Sequence, residues 1–155
     1  MKKTIYIITL LLGGVISQTT NAQVRVGINI NAQPLWGPVG HDYVEYYYLP
    51  DIDAFYNVPN RQYIYMQNGR SVFSRRLPSK YQNFDLYSGY KVVVNEPKPY
   101  RNYGLYRKKY NKYKNNHSQG IIRNSHDPKY YVNKNHPEHN KFKKNHNTKG
   151  KHKNK

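Results

Sequence analysis

The sequence contains no cysteine, so the chain can form no disulfide bond, no cysteine-ligated metal site and no thiol nucleophile. It also lacks a serine in a nucleophile-elbow pattern, a His-Glu-x-x-His motif and a phosphate-binding glycine loop. Without disulfide bonds, a fold of this chain must rest on side-chain packing and backbone pairing. These absences favour a non-enzymatic protein without a cofactor.

Acidic residues are scarce: eight Asp and Glu stand against 26 Lys and Arg, for a net charge of +18. The imbalance is concentrated at one end. Residues 101–155 hold 16 of the basic residues and two acids, about +14, whereas residues 23–100 hold eight basic and six acidic residues, about +2. This distribution predicts a nearly neutral folded unit followed by a cationic segment that attracts polyanions.

Long apolar runs are missing except at the N-terminus. There, Lys2 and Lys3 precede an apolar run of 12 residues, 5–16, and a small-residue stretch that ends at Ala22. The run is shorter than the roughly 20 residues that span a bilayer. We predict a signal peptide over residues 1–22 and export to the periplasm, the outer surface or the extracellular space, with no transmembrane segment after cleavage. A retained N-terminal anchor is the alternative.

Residues 23–100 have the pattern of one small, mainly β domain. Short stretches rich in aromatic and β-branched residues alternate with Pro, Gly and Asn, roughly every 8–12 residues. Asn68-Gly69 between two apolar stretches is a strong signal for a tight hairpin. We predict an antiparallel meander or rolled sheet of about five short strands. The candidate strands are residues 24–30, 43–49, 52–57, 62–66, 71–73 and 89–94, with a helical turn or loop over 79–86.

Tyrosine is abundant, with 18 in the chain and 11 of them between residues 43 and 100. A tyrosine ring buries a large area but keeps one polar end, which suits a sheet that is covered on only one face. Exposed rings could stack on sugars, so a carbohydrate- or peptidoglycan-binding module is an alternative function. The candidate stacking residues are Tyr46, Tyr48, Tyr63, Tyr65 and Trp36, although for Trp36 the core is the favoured place.

Residues 101–155, the basic tail, contain 11 Asn, six of the seven His and only four aliphatic residues. So few aliphatic side chains cannot offset the chain entropy, which predicts that most of the tail is disordered. Tyrosines recur every three to four residues over 103–113, which fits either a helix with an aromatic stripe or an extended segment whose rings stack on bases or sugars. The candidate polyanion-binding residues are Arg101, Arg107, Lys108, Lys109, Lys112 and Lys114.

Two further patterns suggest chemistry but have simpler explanations. The His136-Pro137-Glu138-His139 segment, with other tail histidines, resembles a metal-ligand cluster but lacks the rigid frame that such a site needs, so we predict no metal site. Asp51 and Asp53 could be the paired carboxylates of a glycoside hydrolase, which would make the protein a small hydrolase. They follow Pro50, however, where aspartate is typical of a turn.

Several runs resemble a group of small uncharacterised exported proteins from Bacteroidetes. They are residues 42–59 (DYVEYYYLPDIDAFYNVP), 63–65, 68–69, 77–78 and 87–97 (YSGYKVVVNEP). Ser71 departs from the aromatic residue that the group's pattern has after the turn. The resemblance implies export, a β fold and a boundary near residue 100, and it transfers no catalytic residues.

Together these observations predict three parts: a signal peptide over 1–22, a tyrosine-rich β domain over 23–100 and the basic tail over 101–155. We predict a non-enzymatic exported interaction protein whose basic tail contacts anionic envelope polymers or polysaccharide rather than genomic DNA. In the simplest alternative, the positive charge only keeps the protein soluble.

Overall fold

The computed structural model describes residues 28–144. The predicted signal peptide, most of the predicted first strand and residues 145–155 lie outside the described residues. None of the helices in the described part is long and apolar enough to cross a membrane.

Five short strands form one antiparallel sheet, which confirms the mainly β prediction. They are β1 (Tyr46–Leu49), β2 (Ala54–Asn57), β3 (Gln62–Gln67), β4 (Arg70–Ser74) and β5 (Val92–Val94). The order across the sheet is β4-β3-β2-β1-β5. The first four strands form the predicted meander, but β5 pairs with β1 instead of β4. The sheet is therefore open, with β4 and β5 at its edges.

The hairpin predicted at Asn68-Gly69 is confirmed. Gln67 pairs with Arg70, so only two residues connect β3 to β4. Asn68 has φ of 50° and Gly69 has φ of 73°. Positive φ at both central residues is what a two-residue hairpin requires, and Asn and Gly adopt it at low cost.

The strand predicted over residues 24–30 is wrong for its described end, because Ile30 begins a 3-10 helix over Ile30–Ala32. The alternating pattern of residues 24–30 does not show that hydrogen bonds from one side chain take the place of strand pairing here. The amide of Asn29 accepts from the backbone N of Val44 at 2.9 Å and donates to its carbonyl at 2.7 Å. This side chain thus satisfies the backbone just before β1, where a neighbouring strand would otherwise pair.

One face of the sheet carries a core built around Trp36. The rings of Tyr47 and Tyr56 lie edge-on to Trp36, at centroid distances of 5.4 and 4.9 Å. Val44, Leu49 and other apolar residues of the strands and loops complete this core. The prediction that Trp36 fills the core is confirmed.

The opposite face is covered by the start of the basic tail. A 3-10 helix (Pro99–Asn102), helix α1 (Tyr103–Tyr110) and a second 3-10 helix (Asn111–Tyr113) run across it. The rings of Tyr103 and Tyr106 meet Phe55 at 5.2 and 5.0 Å. Both faces of β1 and β2 are therefore buried, and the expectation of a sheet covered on only one face is wrong.

A third core joins the first described residues to the later part of the tail. Ile30, Ile122 and Tyr130 are buried together, and the Tyr130 hydroxyl accepts from the backbone N of Gly40 at 2.6 Å. Asn133 donates from its side chain to the carbonyl of Gln33 at 2.8 Å. These contacts fasten residues 121–133 to the loop that precedes β1.

The prediction that most of the basic tail is disordered is therefore corrected for residues 101–144. It rested on the small number of aliphatic residues. Tyrosine supplies the missing apolar area, because its ring packs in the core while its hydroxyl keeps a polar partner. Tyr106, for example, is 4% exposed and donates to Glu96 at 2.6 Å.

Lys91, just before β5, is a buried cation with a titration consequence. It is 1% exposed, and its Nζ donates to the carbonyl of Leu86 at 2.9 Å. Burial lowers the pKa of Lys91 to about 8, although Asp85 and Asp51 oppose the shift. An unfolded lysine titrates near 10.5. Between pH 8 and 10.5 the Lys91 side chain holds a proton in the unfolded chain but not in the folded chain. The free energy of unfolding therefore rises with pH over this range because of this residue.

Replacing Lys91 with Met is expected to remove this rise of stability with pH. Relative to Lys91→Met, the wild-type free energy of unfolding should rise by up to about 1.4 kcal/mol per pH unit between pH 8 and 10. Urea unfolding of both proteins at each pH measures the difference, in which shared tyrosine effects cancel. Lys134→Met, at an exposed lysine, is the control. Parallel curves for wild type and Lys91→Met would contradict the prediction.

Candidate functional site: the basic face of helix α1

Helix α1 and its flanking 3-10 turns present two contrasting stripes. Tyr103 and Tyr106 point to the sheet and are buried. Arg101, Lys108 and Lys112 lie at spacings of seven and four, so they share the opposite, solvent-facing side. Lys109 lies beside them. We call Arg101, Lys108, Lys109 and Lys112 the basic face.

The sequence explains why this segment is helical and why its cations face outward. Pro99 occupies the first position of the leading 3-10 turn, where its missing N–H costs nothing. The tyrosine spacing fixes which side meets the sheet, which confirms the helical alternative. The last turn of α1 holds Arg107, Lys108 and Lys109, which interact favourably with the helix dipole.

No carboxylate within residues 28–144 balances the charges of the basic face. Ion pairs form at Arg107, Lys129 and Lys141, and no described carboxylate pairs with a cation of the basic face. Lys109 and Lys112 lie over the rings of their neighbours Tyr110 and Tyr113, each at 5.2 Å. Like charges one turn apart repel, so a bound anion would relieve a cost that the folded protein carries.

Arg107, another predicted polyanion-binding residue, is exposed but pairs with a carboxylate of the protein itself, that of Asp53. Its Nε donates to Asp53 at 2.8 Å, and a guanidinium nitrogen pairs with the same oxygen. The Tyr48 hydroxyl donates to the other oxygen of Asp53 at 2.8 Å. The hydrogen bond with Asp53 raises the pKa of Arg107. Arg107 therefore anchors α1 to the sheet and lies outside the basic face.

Asp51 and Asp53 border a cleft of about 310 Å³ that Tyr65, Arg107 and Lys114 also line. One oxygen of Asp51 accepts from the backbone N of Asn115 at 2.7 Å. Its other oxygen is buried without a partner among the described residues. Two of the four carboxylate oxygens thus bind the tail and a third accepts from Tyr48. Lys114, predicted for polyanion binding, lies at this cleft and not on the basic face.

The structure corrects four of the five predicted stacking residues. Tyr46, Tyr48, Tyr63 and Trp36 are between 0% and 9% exposed, because both faces of the sheet are covered. Their rings pack against other side chains and offer no surface to a sugar. Tyr65 is half-buried and borders the cleft.

Two of the described histidines, His136 and His139, make contacts within the tail. His136 is buried, with Nε2 3.1 Å from the carbonyl of Ile122 and Nδ1 accepting from the backbone N of Glu138 at 3.1 Å. His139 Nδ1 lies 2.7 Å from the carbonyl of Tyr131. Within residues 28–144, no group of three or more potential ligands could hold a metal ion. His146 and His152 lie outside the described residues.

One residue of this surface escaped the sequence analysis. Leu105 is 60% exposed and lies between Arg101 and Lys108 on the outward side of the helix. Leu105 lies four residues after Arg101 and three before Lys108, and in a helix this spacing places all three on one side. The spacing could therefore have identified Leu105 from the sequence of a helical segment.

Comparison of this chain with protein-family models, with curated proteins and with solved structures found no match in any of the three. The resemblance to exported Bacteroidetes proteins therefore stays a prediction.

Proposed function

We propose that the protein is a non-enzymatic interaction protein of the cell envelope that binds anionic polymers through the basic face. The observation that carries this proposal is a set of four exposed cations that form no ion pair with a described carboxylate. They lie on α1 and its flanking 3-10 turns, which are docked by buried tyrosines. The binding element is thus a fixed surface, in place of the flexible tail expected from composition.

A fixed array has a physical advantage over a flexible one. From Arg101 to Lys112 the helical segment rises roughly 16 Å, at about 1.5 Å per residue. A linear polyanion lying along it meets all four charges without ordering the protein first. Binding then gains from the release of condensed counterions, so it must weaken steeply with salt.

The test is to replace Arg101, Lys108 and Lys112 together with Gln and to measure heparin binding over a range of salt concentrations. A plot of the logarithm of the heparin association constant against the logarithm of the salt concentration has a negative slope. The magnitude of that slope should decrease by about 2–3, close to one per lost contact. Glutamine retains helix propensity, so the fold should persist.

A matched triple variant, Arg75→Gln, Lys134→Gln and Lys143→Gln, loses the same charge elsewhere and should change the slope little. If the two triple variants weaken heparin binding equally, net charge alone governs binding and the basic face is no site.

The carbohydrate-binding alternative has one observation in its favour: Tyr65 and Tyr81 line the cleft beside Asp51. Stacking on uncharged sugars would depend little on salt. Retention on a neutral glycan that survives high salt and is lost in Tyr65→Ala would favour this alternative over the basic face.

A further inference from the structure

Three exposed apolar side chains lie together beside the basic face. Met66, Phe73 and Leu105 are 40%, 50% and 60% exposed. Met66, Tyr100 and Leu105 line one open groove of about 500 Å³. The ring of Phe73 meets that of Tyr100 edge-on at 5.3 Å. We call Met66, Phe73, Tyr100 and Leu105 the apolar patch.

The topology explains why this patch stays uncovered. Phe73 continues a row that crosses the sheet through Phe55 and Ile64, on the face that α1 covers. It lies on the edge strand β4, however, and the helix packs over Phe55 instead. The ring of Tyr100 contacts Phe73 from the side, and Phe73 remains 50% exposed.

The cations of the basic face border this patch directly. Arg101 lines the groove. Lys108 and Lys109 lie one helical turn beyond Leu105, and none of these three forms an ion pair with a described carboxylate. Apolar and cationic groups thus share one surface, and neither kind is satisfied within the part of the chain that the structure describes.

We propose that the apolar patch and the basic face together dock on the surface of an anionic lipid bilayer. A hydrated polymer would use only the cations and would leave Leu105, Phe73 and Met66 in water. A bilayer interface takes up both groups, because lipid headgroups attract the cations while apolar side chains enter the boundary region beneath. The proposal rests on the proposed function to the extent that both use Arg101 and Lys108.

Charge selects this occupant over a second copy of the chain. A protein with a net charge of +18 repels itself, most strongly where its unpaired cations lie. The groove is also open and shallow and lacks a deep pocket for an anchoring side chain, which suits a broad, deformable surface better than a folded protein partner.

The experiment measures binding of the full chain to vesicles by cosedimentation. One set contains phosphatidylcholine alone, and the other contains phosphatidylcholine and phosphatidylglycerol in equal amounts. The predicted signal peptide is common to all variants, so it cancels in their comparison. Wild type should prefer the anionic vesicles. Leu105→Gln, which keeps a helix-forming residue, should weaken that binding roughly tenfold and leave heparin retention unchanged.

Two variants complete the design. Arg101→Gln with Lys108→Gln should weaken binding to anionic vesicles about 25-fold, at roughly fivefold per charge, and should also reduce heparin retention. Val132→Gln alters an exposed apolar residue elsewhere, 37% exposed, and should change neither readout.

The outcomes separate the two proposals. Unchanged vesicle binding by Leu105→Gln, or equal wild-type binding to both vesicle types, overturns the bilayer proposal and leaves polymer binding standing. Loss of a solution dimer in Leu105→Gln would also overturn it, in favour of a second copy as occupant. Absent heparin retention with intact anionic-vesicle binding would overturn the polymer proposal alone.

Discussion

Raising the pH above 10 is expected to unfold this protein in one cooperative step before pH 12. Burial raises the pKa of Tyr63 to about 12 and that of four other tyrosines well above its ordinary value of 10; these are Tyr47, Tyr48, Tyr103 and Tyr106. A pKa raised by folding contributes stability below the unfolded pKa, and that stability is lost as the pH rises beyond it.

The magnitude makes this the largest effect expected. Each of the five buried tyrosines lowers the free energy of unfolding by about 1.4 kcal/mol per pH unit above 10, which sums to roughly 7 kcal/mol per unit. A typical domain has a total stability of about 5–15 kcal/mol. A rise of one to two pH units above 10 should therefore be enough to unfold the protein.

The part of the tyrosinate absorbance that comes from the buried tyrosines should change together with far-UV circular dichroism, at one midpoint. Tyr103→Phe should move that midpoint to higher pH at no cost near neutrality, because the Tyr103 hydroxyl is buried without a partner among the described residues. Tyr87→Phe, at a residue that is 40% exposed, should leave it in place. Gradual ionisation of all tyrosines without loss of structure would contradict this account.

A chain that ends at Tyr100 is expected not to fold. It would lose Tyr103 and Tyr106 from above Phe55, and Ile122 and Tyr130 from above Ile30. Removal of a single buried aromatic residue costs about 3–5 kcal/mol, so the loss of two aromatic contacts alone exceeds the stability of many small domains. The measurement is urea unfolding followed by near-UV circular dichroism.

Residues 101–144 are expected to restore folding when they are added as a separate peptide. A peptide of residues 101–144 in excess is expected to restore the near-UV signal, whereas the same peptide with Tyr103→Ser and Tyr106→Ser should not. Cooperative unfolding of the chain ending at Tyr100, with the stability of the full chain, would show that the docked helices contribute little.

Local features of the fold could be predicted from the sequence. Asn68-Gly69 specified its hairpin because two adjacent residues tolerate positive φ there. The stretches around β1 to β3 were found because aromatic and β-branched residues favour extended backbone. These signals lie within a few residues of the structure that they predict.

Features that join distant residues could not be predicted in this way. The pairing of β5 with β1 depends on a connection whose course no local pattern encodes. The amide of Gln119 brackets the backbone of Lys91, with hydrogen bonds of 2.9 Å to both its N and its carbonyl O. Neither these two hydrogen bonds nor the ion pair of Arg107 with Asp53 can be predicted from composition. The sequence singles out the basic residues as candidates, but only packing shows which of them form no ion pair with a described carboxylate.

The edge strand β4 has a consequence for the protein at high concentration. Unpaired backbone at a sheet edge is a template on which another chain can assemble into fibrils. Arg70 opens this strand, and Arg75 and Arg76 follow its end, all three exposed. Guanidinium groups at both ends make edge-to-edge growth electrostatically unfavourable, so this strand resists fibril formation without a covering element.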